Sequence, residues 1–122
     1  MQIIKMKFGE HNFATLRCPE EGAYFCPICG SLYYGSPGYW PYGYNPESGR
    51  SVGSWQECPN CGIVYGHTDM VLMDAGPGST EAAWKEIRLE WLNRTGWQDQ
   101  DLRKLKENLE IDVEALKKEA GR

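Results

Sequence analysis

The chain contains no long apolar run. Its first residues, Met1 to Phe8, lack a continuous hydrophobic stretch, and no signal peptide, membrane span or lipidation motif is visible. These absences predict a cytoplasmic protein that does not enter a membrane. Aliphatic residues are also sparse for a chain of 122 residues, and aromatic rings supply much of the apolar mass. A core that small is marginal on its own and calls for a staple.

Basic residues are scarce where a nucleic-acid ligand would need them. Between Met1 and Gly78 only Lys5, Lys7, Arg17 and Arg50 oppose Glu10, Glu20, Glu21, Glu47, Glu57, Asp69 and Asp74, and the formal net charge of the chain is −4. Affinity for phosphate backbones comes mainly from Lys and Arg, so this balance argues against a generic nucleic-acid binder and favours a protein partner. No Ser/His/Asp set, phosphate loop or paired-carboxylate site stands out, so no enzymatic activity is expected.

What the sequence does contain is one short phrase written twice: Cys26-Pro27-Ile28-Cys29-Gly30 and Cys58-Pro59-Asn60-Cys61-Gly62. Two residues between cysteines let both sulfurs converge on one ion. A glycine after the second cysteine supplies the positive φ that such a turn tends to need. Two of these knuckles offer four thiolates, a closed tetrahedral set suited to one structural Zn²⁺ held by Cys26, Cys29, Cys58 and Cys61. A redox pair or a disulfide framework would not require the same phrase twice. A closed set also leaves no open position for catalysis. Free thiols on a metal fit a reducing interior, and the metal would contribute on the order of 10 kcal/mol to folding. The fifth cysteine, Cys18, has no partner at knuckle spacing and reads as a free, partly buried thiol. His11 and His67 read as ordinary surface histidines.

Between the knuckles, from Ser31 to Trp55, charge almost vanishes; only Glu47 and Arg50 remain among the Tyr, Trp, Gly and Pro residues. Part of this aromatic hairpin should cover the metal site, with Tyr33 and Trp55 turned inward. The tip, with Tyr39, Trp40, Tyr42 and Tyr44, should face outward as a partner-binding surface, because Tyr and Trp give large contact area at low entropic cost.

The rest follows from periodicity. Ile4, Met6 and Phe8 alternate with Lys5 and Lys7, and Phe13 to Arg17 can return as a second strand. Ile63 to Tyr65 and Met70 to Met73 read as closing strands around a turn at 66–69. A helix follows, with Ser79 or Thr80 as N-cap, a stripe of Ala83, Trp84, Ile87 and Trp91, and Gly96 as its stop. A second begins near Asp99. Its Leu102, Leu105, Leu109, Val113, Leu116 and Ala120 form a narrow stripe over five turns, suited to a homodimer mate or to the first helix folded back. The expected fold is a small α+β protein: a zinc ribbon, antiparallel β with two Cys knuckles, followed by two C-terminal helices. Its segments are an N-terminal hairpin over residues 1–21, the ribbon with its packing helix over 22–98, and an amphipathic helix over 99–122.

Four groups of residues, Cys26 to Ser31, Cys58 to Gly62, Glu81-Ala82-Ala83 and Trp91 to Gly96, occur in an order that resembles the Lar-like restriction alleviation proteins of phages and prophages. The resemblance covers roughly Gly22 to Gly96. It implies a small zinc-ribbon protein that acts on a host restriction or defence complex by protein contact, without catalysis. The chain departs from that pattern in placing Leu92 between Trp91 and Asn93 and in its long inter-knuckle segment. The alternative is a zinc-ribbon protein that binds nucleic acid or regulates transcription, with the aromatic tip stacking on bases.

Overall fold

In a computed structural model of the chain, residues 1–8, 10–35, 41–44, 51–69 and 76–122 are described, with backbone alone for Gly43, Tyr44, Ser51 and Val52. The alternation at the N-terminus folds as expected. β1 (Gln2–Lys7) pairs antiparallel with β2 (Phe13–Cys18), Gln2 opposite Cys18 and Lys7 opposite Phe13. Period two then puts Met6 and Phe8 on the same side as Ala14, Leu16 and Cys18, all of them buried. β3 (Ala23–Phe25) and β4 (Leu32–Tyr34) form a second antiparallel hairpin, and β5 (Tyr42–Tyr44) and β6 (Ser51–Gly53) a third. The first knuckle is the connection between β3 and β4.

The second knuckle is closed more lightly. Ile63 to Tyr65 does not form the expected strand; one antiparallel bridge, Glu57 to Val64, joins the two sides of the turn, extended by bonds from Trp55 N–H to Tyr65 O at 2.9 Å and from Tyr65 N–H to Gln56 O at 3.0 Å. The other expected closing strand, Met70 to Met73, lies outside the described residues. Just past the bridge two backbone segments cross in contact: a Cβ added to Gly53 would stand 2.1 Å from the Cα of Gly66. Only a pair of glycines fits there.

Three helices complete the chain instead of two. α1 (Ser79–Thr95) buries Ala83, Trp84 and Trp91, and it stops at Gly96, whose φ of 86° sends its N–H back to Leu92 O. Its start differs from expectation. Gly78 takes the cap position, with φ 74°, and makes no side-chain cap bond. Asn12, from the β1–β2 turn, does the capping instead: its Oδ1 accepts from Thr80 N–H at 3.1 Å and its Nδ2 donates to Thr80 Oγ1 at 2.7 Å. A buried asparagine thereby satisfies an orphan donor of a helix some seventy residues away along the chain.

The expected single C-terminal helix is broken into α2 (Asp99–Leu109) and α3 (Val113–Glu119). Glu110 adopts a left-handed φ of 54°, and Asp112 restarts the helix by accepting from Ala115 N–H at 3.1 Å. The break lets the leucine stripe turn a corner, so that Leu105 and Leu116 both reach the core containing Met6, Phe8, Trp84 and Trp91. Leu102, Leu109, Val113 and Ala120 of the stripe are half-buried against the same core. Among the described residues, no helix is long and apolar enough to cross a membrane.

Candidate metal centre

Each knuckle is built by the same two backbone bonds. In the first, Cys26 N–H donates to Ser31 O and Gly30 N–H to Cys26 O, both at 2.8 Å. In the second, Cys58 N–H donates to Ile63 O and Gly62 N–H to Cys58 O, again both at 2.8 Å. The glycines have φ values of 77° and 82°, as the turn requires. The two turns face one another, and the sulfurs of Cys26, Cys29, Cys58 and Cys61 all lie within 4.8 Å of each other. Cys26 Sγ stands 3.8 Å from Cys61 Sγ, and Cys29 Sγ 3.7 Å from Cys58 Sγ. These separations are far longer than a disulfide bond, and all five cysteines are free. All four sulfur-bearing residues are buried.

A buried guanidinium and two hydroxyls stand close to the cluster. Arg88, on α1, is buried and lies under the first knuckle, donating from Nε to Ile28 O at 2.8 Å and from Nη2 to Pro27 O at 2.5 Å. Burial lowers its pKa, while Glu81 and the charges of Cys26, Cys29 and Cys61 oppose that shift. Tyr33 Oη lies 3.3 Å from Cys58 Sγ, and Ser31 Oγ lies 3.3 Å from Cys29 Sγ while accepting from Lys104 Nζ at 3.4 Å. Crowding splits the proton affinities of the cluster. Hydrogen bonding from Cys26 holds Cys29 down at about 7 and Cys58 lower still. Burial pushes Cys26 up, and hydrogen bonding to Cys26 pushes Cys61 up. A cation that replaces these protons relieves the competition. The cluster is a candidate metal site with four sulfur donors.

Other expected site residues fall elsewhere. Cys18 is a separate buried thiol, and His11 and His67 are exposed; among the described residues none of them joins the cluster. Tyr39, Trp40 and the Tyr44 side chain lie outside the described residues. Tyr42, expected to face outward, is buried: its ring packs against Phe8, Tyr65 and Trp84. Its hydroxyl donates to Asp69 Oδ2, which also accepts from Trp84 Nε1 at 2.9 Å, while Asp69 Oδ1 accepts from Gly66 N–H at 2.8 Å. A buried carboxylate needs several donors, and Tyr42 is one of them. Trp55, expected to turn inward, is instead 61% exposed at a left-handed φ of 64°, with its ring tilted against His67, centroids 5.1 Å apart. Tyr33 does approach the metal site.

Arg88, Asp69 and Asn108, whose Nδ2 donates to Gly30 O at 2.8 Å, carry structural weight that the sequence reading missed. For Arg88 a signal existed: it lies four residues after Trp84 and three before Trp91, a charge set into the buried stripe of α1.

The chain is thus a small α+β protein with a buried four-cysteine centre. Searches against family models, curated proteins and solved structures find no match.

Proposed function

We propose that this is a non-enzymatic zinc-ribbon protein of the phage type, which uses one structural Zn²⁺ to hold its fold and binds a host protein, a restriction or defence complex being the target class. One observation carries the metal reading. Four sulfurs placed tetrahedrally about Zn²⁺, with bonds of about 2.3 Å, lie about 3.8 Å apart; Cys29–Cys58 and Cys26–Cys61 are 3.7 and 3.8 Å apart, and all four sulfurs lie within 4.8 Å of one another. Cys26, Cys29, Cys58 and Cys61 would hold the ion, and Arg88 would offset part of the negative charge of the tetrathiolate. Bound there, the ion cross-links the two knuckles and leaves no site open for a substrate.

The acidic balance of residues 1–78 supports a protein partner over a nucleic acid. The contact surface is drawn from the aromatic segment between the knuckles. With Tyr42 buried, the described exposed aromatics of that segment are Tyr34 and Trp55, 58% and 61% exposed; Tyr39, Trp40 and the Tyr44 side chain lie outside the described residues. Metal analysis of natively purified protein should return one zinc per chain. Affinity capture from bacterial lysate should then recover a defence protein, and a Tyr34→Ala, Trp55→Ala double variant should lose it. Absence of zinc refutes the centre. A salt-sensitive shift of DNA or RNA, with no protein captured, refutes the partner class in favour of a nucleic-acid-binding ribbon.

A further inference from the structure

The two knuckles are the same turn, but the rest of the chain grips them unequally. In the first, Pro27, Ile28 and Gly30 are buried. Arg88 bonds the carbonyl oxygens of both Pro27 and Ile28. Asn108 Nδ2 donates to Gly30 O at 2.8 Å, and a Cβ on Gly30 would stand 3.0 Å from the Lys104 carbonyl oxygen, so α2 is pressed against the turn. These anchors come from α1 and α2, whose own helical bonds involve no cysteine.

In the second knuckle, Pro59, Asn60 and Gly62 are exposed, and a Cβ on Gly62 would meet nothing within 4 Å. The bridge from Glu57 to Val64 and the backbone bonds of Trp55 and Gln56 with Tyr65 close its base, Tyr33 Oη lies 3.3 Å from Cys58 Sγ, and from the helices only Arg94 reaches the turn among the described contacts, Nη2 to Cys61 O at 3.4 Å. A cavity of about 100 Å³, bordered by Cys61, Gly62, Ile63, Trp91 and Arg94, opens beside the turn. Cys61 is also the one ligand with measurable exposure, 4% against 0% for the other three.

We infer that the centre opens from one side: the Cys58–Cys61 knuckle is the releasable half, through which the ion enters, leaves and is reached by competing ligands, while the Cys26–Cys29 knuckle stays set without metal. This rests on the metal reading above. In release, the exposed Cys58–Cys61 turn would move away from the first pair and carry its two sulfurs out to solvent, where a competing ligand would meet the ion. The helices hold the first pair in place to receive the next ion.

The amides of Gly30 and Gly62 give a matched test, because each donates to the first cysteine of its own knuckle at 2.8 Å. Hydrogen exchange is followed by NMR on the full chain, zinc-loaded and then stripped with EDTA at neutral pH. Protection at Gly62 should fall by roughly 100-fold or more on stripping, and that at Gly30 by less than about tenfold. Equal loss at both amides, including loss by global unfolding, or greater loss at Gly30, overturns the inference. In an Arg88→Met, Asn108→Ala double variant the difference should shrink; a difference that persists undiminished overturns the assignment of the anchors. Metal content separates the two levels. Protein without zinc refutes the centre itself, whereas one zinc per chain with symmetric loss refutes only the one-sided opening.

Discussion

Arg88→Met removes the buried guanidinium while keeping much of the side-chain bulk. Two charge-assisted hydrogen bonds, to the carbonyl oxygens of Pro27 and Ile28, disappear; each is worth roughly 1.5–3 kcal/mol. The same substitution takes a positive charge away from a buried group of sulfurs. Breaking a buried charged contact by removing one partner costs about 3–5 kcal/mol, and that range is the expected loss. For a chain of this length it corresponds to a fall in melting temperature on the order of 15 °C. Arg88→Lys keeps the charge but replaces the planar fork by one point donor, so it should recover about half of the loss. The assay is urea unfolding of the protein in excess zinc, followed by tryptophan fluorescence, with metal content checked for each variant. A loss below about 1 kcal/mol for the methionine variant, or a lysine variant as stable as the parent, would falsify the role given to Arg88.

Asn12→Ala should cost about 1–2 kcal/mol through the lost cap on α1, measurable by urea unfolding, and Asn12→Asp, which keeps the acceptor, should recover part of it. Gly53→Ala should destabilise by about 3 kcal/mol or more, because the added methyl meets the backbone of Gly66 and not a movable side chain; a variant that melts with the parent would show that this crossing can spread. Burial pushes the Cys18 thiol above its ordinary value of 9.0. The folded state thus favours the protonated form, so this contribution is present below the unfolded pKa and is lost as pH rises through the raised folded value. Thermal stability should decline at alkaline pH. Cys18→Ala should flatten that decline, and an unchanged profile in the variant would refute the assignment.

Much of the local organisation was legible because it depends on short-range rules. The Cys-x-x-Cys-Gly spacing specifies a turn that aims two sulfurs one way, wherever it occurs. The alternation of Ile4, Met6 and Phe8 specifies a one-sided strand, and Gly96 ends a helix since no other residue takes its φ so cheaply. The misses share a different character. Tyr42 and Trp55 both sit in an uncharged aromatic stretch where no periodicity distinguishes inside from outside. Their fates were decided by distant partners: Tyr42 found the carboxylate of Asp69, and Trp55 was turned out at a left-handed backbone position. The leucine stripe after Asp99 has a helical period throughout, so its sequence pattern did not reveal that the chain breaks at Glu110, where the backbone turns left-handed.

The sequence by itself determined that four cysteines form two matched pairs, because each pair is a local turn with its own backbone bonds. Only the tertiary structure decided that the pairs meet with sulfurs 3.7 and 3.8 Å apart, and that α1 and α2 clamp one knuckle far more firmly than the other. The turn is encoded in five consecutive residues. The grip upon it comes from Arg88, Lys104 and Asn108, more than fifty residues further along the chain, and nothing in those five residues records whether a guanidinium or water will meet their carbonyl oxygens.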